Sequence, residues 1–316
     1  MNRTAFINHE IVICTHNREN LLFKTLKSLN QACNINDWSI LITVIVNACN
    51  DGTETLLKKY QQEQNKEDLL PLRWFIEKKA GKSHALNKAI SLIQSTMISF
   101  IDDDHRIPEN YFIQVKFAYQ NYPEADFFCG KILPDWTGRE PAWIHDEGKY
   151  KIYPLPVPRF DIGDSPKELF AGGPIPGGGN LIVKKKIFDA VGGFSNSLGP
   201  VGHNLEGSED YDWVTRALSM GFRLIYHPGI VQYHHVDLNR LTLKYLVEKS
   251  LLRSKTITRL RYNQEKKKFP KYIFRKIFSY CGSLICSLFS PEKKRFYLVR
   301  LSAAIGEFLG FFISKK

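Results

Sequence analysis

Short apolar runs alternate with helical periodicities through the first 130 residues. Ile11–Cys14, Ile40–Val46, Leu72–Ile76 and Met97–Ile101 read as strands, and Arg18–Asn30, Thr53–Gln64 and Ser83–Gln94 as helices. That alternation predicts a parallel sheet with crossover helices, which binds ligands beyond the carboxyl ends of its strands. Four polar segments follow the strands: Thr15–Arg18, Asn47–Thr53, Glu77–Lys82 and Asp102–Asp104. They are expected to converge.

The pattern then changes. Residues 134–180 hold eight of the fifteen prolines and end in Gly-Gly-Pro-Ile-Pro-Gly-Gly-Gly-Asn, which reads as a long irregular connection. A helix at Lys184–Val191 closed by Gly192-Gly193, a helix from Ser208 to Met220 closed by Gly221, and strands Arg223–Tyr226 and Ile230–His234 complete the body. Beyond it, Ile277, Phe278, Cys281, Leu284, Ile285 and Leu288 recur at helical spacing, and Phe296–Ile313 carries only Arg300 and Glu307 as charges. The longest uncharged stretch of this tail, Ile277–Pro291, is shorter than the roughly 18 apolar residues a spanning helix needs.

Composition sharpens the division. With 43% apolar, 13% aromatic and 24% charged residues in 316, the chain is globular in type. Its net charge of +12 is uneven: residues 239–316 hold 19 basic and 4 acidic side chains, leaving 25 basic and 28 acidic in residues 1–238. A mildly acidic body argues against a nucleic-acid-coating protein, and no nucleic acid partner is expected. Basic residues flanking amphipathic helices suit an anionic membrane surface, at about 1 kcal/mol per Lys or Arg near it. The alternative is a helical subdomain that packs its apolar faces and leaves its charges in water. Six cysteines without a CxxC pair fit reduced thiols, and the N-terminus shows no signal-peptide pattern. The expectation is a cytoplasmic protein, peripheral on the inner face of the membrane.

Chemistry concentrates after the strands. Three successive carboxylates, Asp102, Asp103 and Asp104, repel one another, a cost relieved by a divalent cation. Alternation along an extended segment turns Asp102 and Asp104 to one side, suited to Mg²⁺ or Mn²⁺ shared with a diphosphate. A solvated acidic turn is the plainer alternative. Ala80-Gly81-Lys82-Ser83 is not a triphosphate loop, because Ile76 stands where the first glycine is required; a helix N-terminus open to an anion remains. Glu209-Asp210 opens a helix, where carboxylates also occur for dipole reasons alone. His234-His235, at a strand end, fits packing as well as metal binding.

Together these segments resemble the family 2 inverting glycosyltransferases of the GT-A fold. The resemblance runs through Ile11–Arg18, Val46–Thr53, Gly81–Ile90, Asp102-Asp103-Asp104, Gly178–Lys185, Val191–Phe194, Glu209-Asp210 and Tyr233-His234. It implies a Rossmann-like, mostly parallel α/β sheet with a nucleotide-binding half (1–130), an acceptor-binding half (131–238) and a helical basic C-terminal region (239–316). It also implies nucleotide-sugar contacts from Thr15, Asn17, Arg18, Asn47, Asp51, Lys82, Asn87, Asp102, Asp103, Gly179 and Asn180. A Mn²⁺ or Mg²⁺ would sit on Asp102, Asp104 and His234, with Asp210 as general base and Glu209 next in line. The implied partners are a nucleotide diphosphate sugar, UDP-linked by family frequency, and a saccharide or lipid-linked saccharide acceptor. Val46 departs from the pattern, standing where many relatives carry an Asp that fixes uracil. Neither a Gln-x-x-Arg-Trp motif nor a spanning segment is present, so transfer of one sugar per encounter is expected. Two alternatives are a catalytically silent sugar-nucleotide binder and a polyanion-binding protein working through its tail.

Overall fold

The computed structural model describes residues 7–32, 38–153, 155–196, 209–265 and 270–313; Cys33, Gly207 and Ser208 lie outside them. Residues 1–135 and 159–235 group in one compact unit, and 136–158 with 236–316 in a second. The segment 136–158 groups with the C-terminal helices.

The first unit is built on one sheet. Strands β1 (Ile7–Thr15), β2 (Trp38–Asn47), β3 (Leu72–Glu77) and β4 (Met97–Ile101) lie parallel in the order β3-β2-β1-β4. Ile11, Val12 and Ile13 are all buried, as a strand covered on both faces requires. The crossovers are α1 (Glu19–Gln31), α2 (Thr53–Glu63) and α3 (Lys82–Leu92). Leu22, Leu26 and Leu29 recur once per turn of α1 and are buried, so the helix packs along that stripe.

The sheet continues through β5 (His105–Arg106), β6 (Phe127–Asp135), β7 (Lys167–Leu169), β8 (Asn180–Lys184) and β9 (Leu224–His235). Helices α4 (Tyr111–Asn121), α5 (Lys186–Val191) and α6 (Glu209–Ser219) join them. One core face gathers Leu26, Leu57 and Phe112, and the other Leu86, Phe188 and Trp213.

Two expected elements differ. Lys184 ends a strand and does not open a helix: Leu181, Ile182 and Val183 are fully buried as β8, antiparallel to both β4 and β6. The two expected C-terminal strands are one, β9, whose Pro228-Gly229 sits at a register shift against β6. There a Cβ on Gly130 would stand 1.8 Å from the Ile230 carbonyl oxygen, so the bulge is absorbed by a residue without a side chain.

In the second unit α7 (Leu243–Glu265) and α8 (Tyr272–Ile285) pack on α9 (Pro291–Ile313). Ser302, Gly306 and Gly310 recur once per turn. A Cβ on Gly306 would stand 2.2 Å from the Leu251 carbonyl oxygen, and the Ser302 hydroxyl donates to Val247 O at 2.6 Å. Asp146 accepts from Arg295 Nη2 at 2.9 Å, and the Arg295 guanidinium lies 4.9 Å from the Trp143 ring centre. The apolar pattern of α9 thus serves helix packing. Among the described residues no helix is long and apolar enough to cross a membrane.

Candidate active site

The four polar segments meet. Beyond β1 and β2, His16 Nδ1 lies 2.7 Å from Asn47 O, Asn17 Oδ1 accepts from Asn50 N, and Asp51 accepts from Glu19 N. Asn17 (φ 52°) and Ala48 (φ 49°) both hold left-handed backbone, a strained conformation for non-glycine residues that clusters at functional loops. Beyond β3, the Asn47 amide donates to Glu77 O and Lys79 O and accepts from Gly81 N, which fixes the turn that presents Lys82.

The carboxylates after β4 share two cations. Arg18 Nη1 lies 2.9 Å from Asp103 and 3.0 Å from Asp104, and Lys82 Nζ lies 2.7 Å from Asp102. Burial alone would raise the Asp102 carboxyl, but the Lys82 ammonium holds it below the usual carboxylate range. Burial pushes Asp103 up to about 6, against the pull of Arg18. Lys82 stays protonated, because Asp102, Glu209 and Asp210 outweigh its burial.

A histidine pair completes this edge. Register pairing of β5 with β9 sets His105 opposite His234. His234 Nε2 lies 3.5 Å from Asp104, and His105 Nε2 lies 3.9 Å from both Asp104 and Asp102. The ligand atoms of Asp104, His105 and His234 all fall within 4.8 Å of one another. Two donors on a common ion at about 2.1 Å each stand roughly 3.0–3.5 Å apart, so modest closure brings these atoms to coordination distance. His105 Nε2 is buried with no hydrogen-bond partner. That buried lone atom beside a carboxylate fits a divalent cation.

The general-base candidate lies in the same unit. A narrow cleft is lined by Cys14, Lys82, Asp102, Gly178, Phe194, Glu209 and Asp210, among others. Asp210 Oδ2 accepts from Gly178 N at 2.6 Å and Oδ1 from Tyr211 N at 2.8 Å. The glycines make this approach possible. A Cβ on Gly178 would stand 3.0 Å from Asp210 Cβ, and one on Gly179 2.5 Å from Asp102 Oδ2 and 2.8 Å from His105 Cε1.

The expected residues therefore gather, with some in different work. The amides of Asn47, Asn87 and Asn180 are engaged with protein: Asn87 clamps Phe194 through N–H and carbonyl, and Asn180 donates to Lys131 O. Thr15 is buried at the end of β1. Val46 is fully buried in β2 and presents nothing to a base. His105 was not anticipated; its only signal was its place directly after the three aspartates.

Comparison with known proteins bears on family and fold. The family model for glycosyl transferase family 2 matches residues 10–192. A glucosyl-dolichyl phosphate glucuronosyltransferase of Haloferax volcanii is 23% identical over 257 residues, covering 80% of this chain and 78% of that protein. The mannosyltransferase PcManGT of Pyrobaculum calidifontis, in complex with GDP-Man and Mn²⁺, aligns at TM-score 0.58 and 16% identity over 96% of this chain and 88% of that one. GalNAc-T7 with UDP, GalNAc and Mn²⁺ aligns at 0.55 and 13% identity, over 85% and 53%. TarS 1–349 of S. aureus in complex with UDP-GlcNAc aligns at 0.54 and 14% identity, over 94% and 91%.

Proposed function

This chain belongs to glycosyl transferase family 2, and from that membership we propose a metal-dependent, inverting, non-processive enzyme. It moves one sugar from a UDP sugar to a saccharide or lipid-linked saccharide in surface polysaccharide or glycolipid synthesis. The observation that carries the reading is the cleft that brings Asp102, Lys82 and Asp210 together. Nucleotides or Mn²⁺ in the complexes of the structural neighbours support the donor class and a divalent ion.

The residues divide the work. Held at Asp102–Asp104 with His234, a divalent ion would neutralise charge on the departing diphosphate. Lys82 adds a permanent positive charge where donor and base sites join. Asp210, oriented by the Gly178 and Tyr211 amides, takes the proton of the acceptor hydroxyl as that oxygen attacks the anomeric carbon. Attack opposite the leaving diphosphate inverts that carbon. Asn17, Arg18 and Asp51 border the nucleotide, and with Val46 inside the core the base is recognised by the half-buried loop after β1 and the more open loop after β2.

The tail brings the enzyme to its acceptor at the inner face of the membrane. Phe278 (74% exposed), Ile285 (69%) and Phe289 (102%) stand out from α8 and the turn after it, beside exposed Lys271 and Arg275. Apolar side chains ringed by cations match an anionic lipid surface.

Titration calorimetry with UDP and Mn²⁺ tests the core of this reading. Asp104→Ala should lose metal-dependent nucleotide binding, and unchanged affinity would refute the assignment of that carboxylate.

A further inference from the structure

Hydrogen-bond direction fixes the protonation pattern of the two histidines. A backbone carbonyl only accepts, so Lys131 O sets the Asn180 amide nitrogen as donor at 2.9 Å. Asn180 Oδ1 must then accept from Gln232 Nε2 at 2.8 Å. Gln232 Oε1 in turn must accept from His105 Nδ1 at 2.5 Å. Gln232 also meets Tyr111 OH at 3.2 Å, and Gln232 and Asn180 are both fully buried. The proton of neutral His105 therefore sits on Nδ1, and Nε2 is a bare lone pair. The same logic holds for His234, whose Nδ1 donates to His235 O at 2.6 Å. Both lone pairs face the Asp104 carboxylate at 3.5 and 3.9 Å, a repulsive arrangement that a shared cation turns attractive.

We infer that His105, locked by the Gln232–Asn180 relay, is a metal ligand, and that the ion sits on Asp104, His105 and His234 with Asp102 left to Lys82. The inference rests on the metal-dependent reading above and changes its ligand set. The pattern is that of ligating histidines generally, whose second ring nitrogen donates to an amide or backbone oxygen. Gly179 leaves room for it, since a Cβ there would stand 2.8 Å from His105 Cε1. The donor set has a consequence for metal choice. Mg²⁺ prefers oxygen and water, so two imidazoles shift preference away from Mg²⁺ toward first-row transition ions, of which Mn²⁺ also accepts carboxylate and phosphate oxygens.

Pulsed electron paramagnetic resonance of the full chain with Mn²⁺ and UDP counts the ligating nitrogens directly. Wild type should show two coupled imidazole nitrogens, His234→Ala one, and His105→Ala one with at least tenfold weaker Mn²⁺ binding. Gln232→Met, which removes the acceptor of the relay, should weaken Mn²⁺ about 10–100-fold with both nitrogens retained. His105→Asp should narrow the preference for Mn²⁺ over Mg²⁺ at least tenfold. A folded His105→Ala protein with wild-type affinity and two nitrogens would overturn the inference. If His105→Ala does not fold, a single nitrogen in wild type, or none in His234→Ala, overturns it as well. A wild-type protein that binds Mn²⁺ through oxygen alone would leave the metal-dependent reading standing and remove only this ligand set. A protein that binds no divalent ion would remove both.

Discussion

Single residues set how closely the site can be assembled. Gly179→Ala would drive a Cβ to 2.5 Å from Asp102 Oδ2, so the carboxylate or β8 must shift. Overpacking of this kind costs about 1–3 kcal/mol, read from urea midpoints, and nucleotide–Mn²⁺ affinity should fall at least tenfold with it. Asp210→Asn should keep donor binding and lose transfer at least a hundredfold; an active variant would place the base elsewhere, Glu209 first. His9 gives a pH signature of the fold itself. Its imidazole is fully buried against Ser99, and burial lowers it to about 3. Below pH 6.5 the unfolded chain takes up a proton that the folded one refuses. Its contribution is thus complete above 6.5 and is lost as pH falls toward 3, at up to about 1.4 kcal/mol per pH unit. His9→Gln should flatten that acid limb between pH 6 and 4.5 in urea titrations; an unchanged slope would assign it to other groups. Asp102, Asp104, Asp210 and His234 were legible in the sequence because each lies in a short motif. His105 was not, because its role depends on Gln232, far along the chain, and on a register across β5 and β9 that no local pattern encodes.

Elements carry the coupling between these residues. Asn87 in α3 holds Phe194 N and O, and Phe194 lines the cleft, so one amide ties a crossover helix to the loop after α5. Asn87→Ala should cost about 1–3 kcal/mol and loosen the cleft, seen as faster amide exchange at Phe194. The strands of the parallel half were readable because apolar runs and turn residues agree there. The antiparallel half was less so. Lys184-Lys185-Lys186 reads as a helix start, yet Leu181–Val183 is a buried strand between β4 and β6. Arg223–Tyr226 and Ile230–His234 read as two strands, yet a bulge opposite Gly130 carries one strand, β9, through both. In the tail, apolar spacing alone did not separate α9, whose small residues pack on α7, from the exposed face of α8. Phe278→Ser, Ile285→Ser and Phe289→Ser together should leave thermal stability unchanged and lower sedimentation with anionic vesicles about tenfold or more, each exposed side chain contributing on the order of 1 kcal/mol. Undiminished binding would remove this face from membrane contact.

For the whole molecule, the net charge of +12 separates into a mildly acidic transferase body and a tail of opposite sign. The body gathers carboxylates around sites for a cation, and the tail presents cations around apolar side chains. Charge division was plain in the sequence, whereas the grouping of residues 136–158 with the C-terminal helices depends on pairs such as Asp146 and Arg295. In the proposed reaction, metal, nucleotide sugar and base act in one inverting displacement. Time-resolved proton NMR of donor hydrolysis tests it without the acceptor, using UDP-linked and GDP-linked α-sugars with Mn²⁺. The β anomer should be released first from a UDP sugar, and release should stop on addition of EDTA and in Asp210→Asn. First release of the α anomer, or turnover that persists without metal, would contradict it.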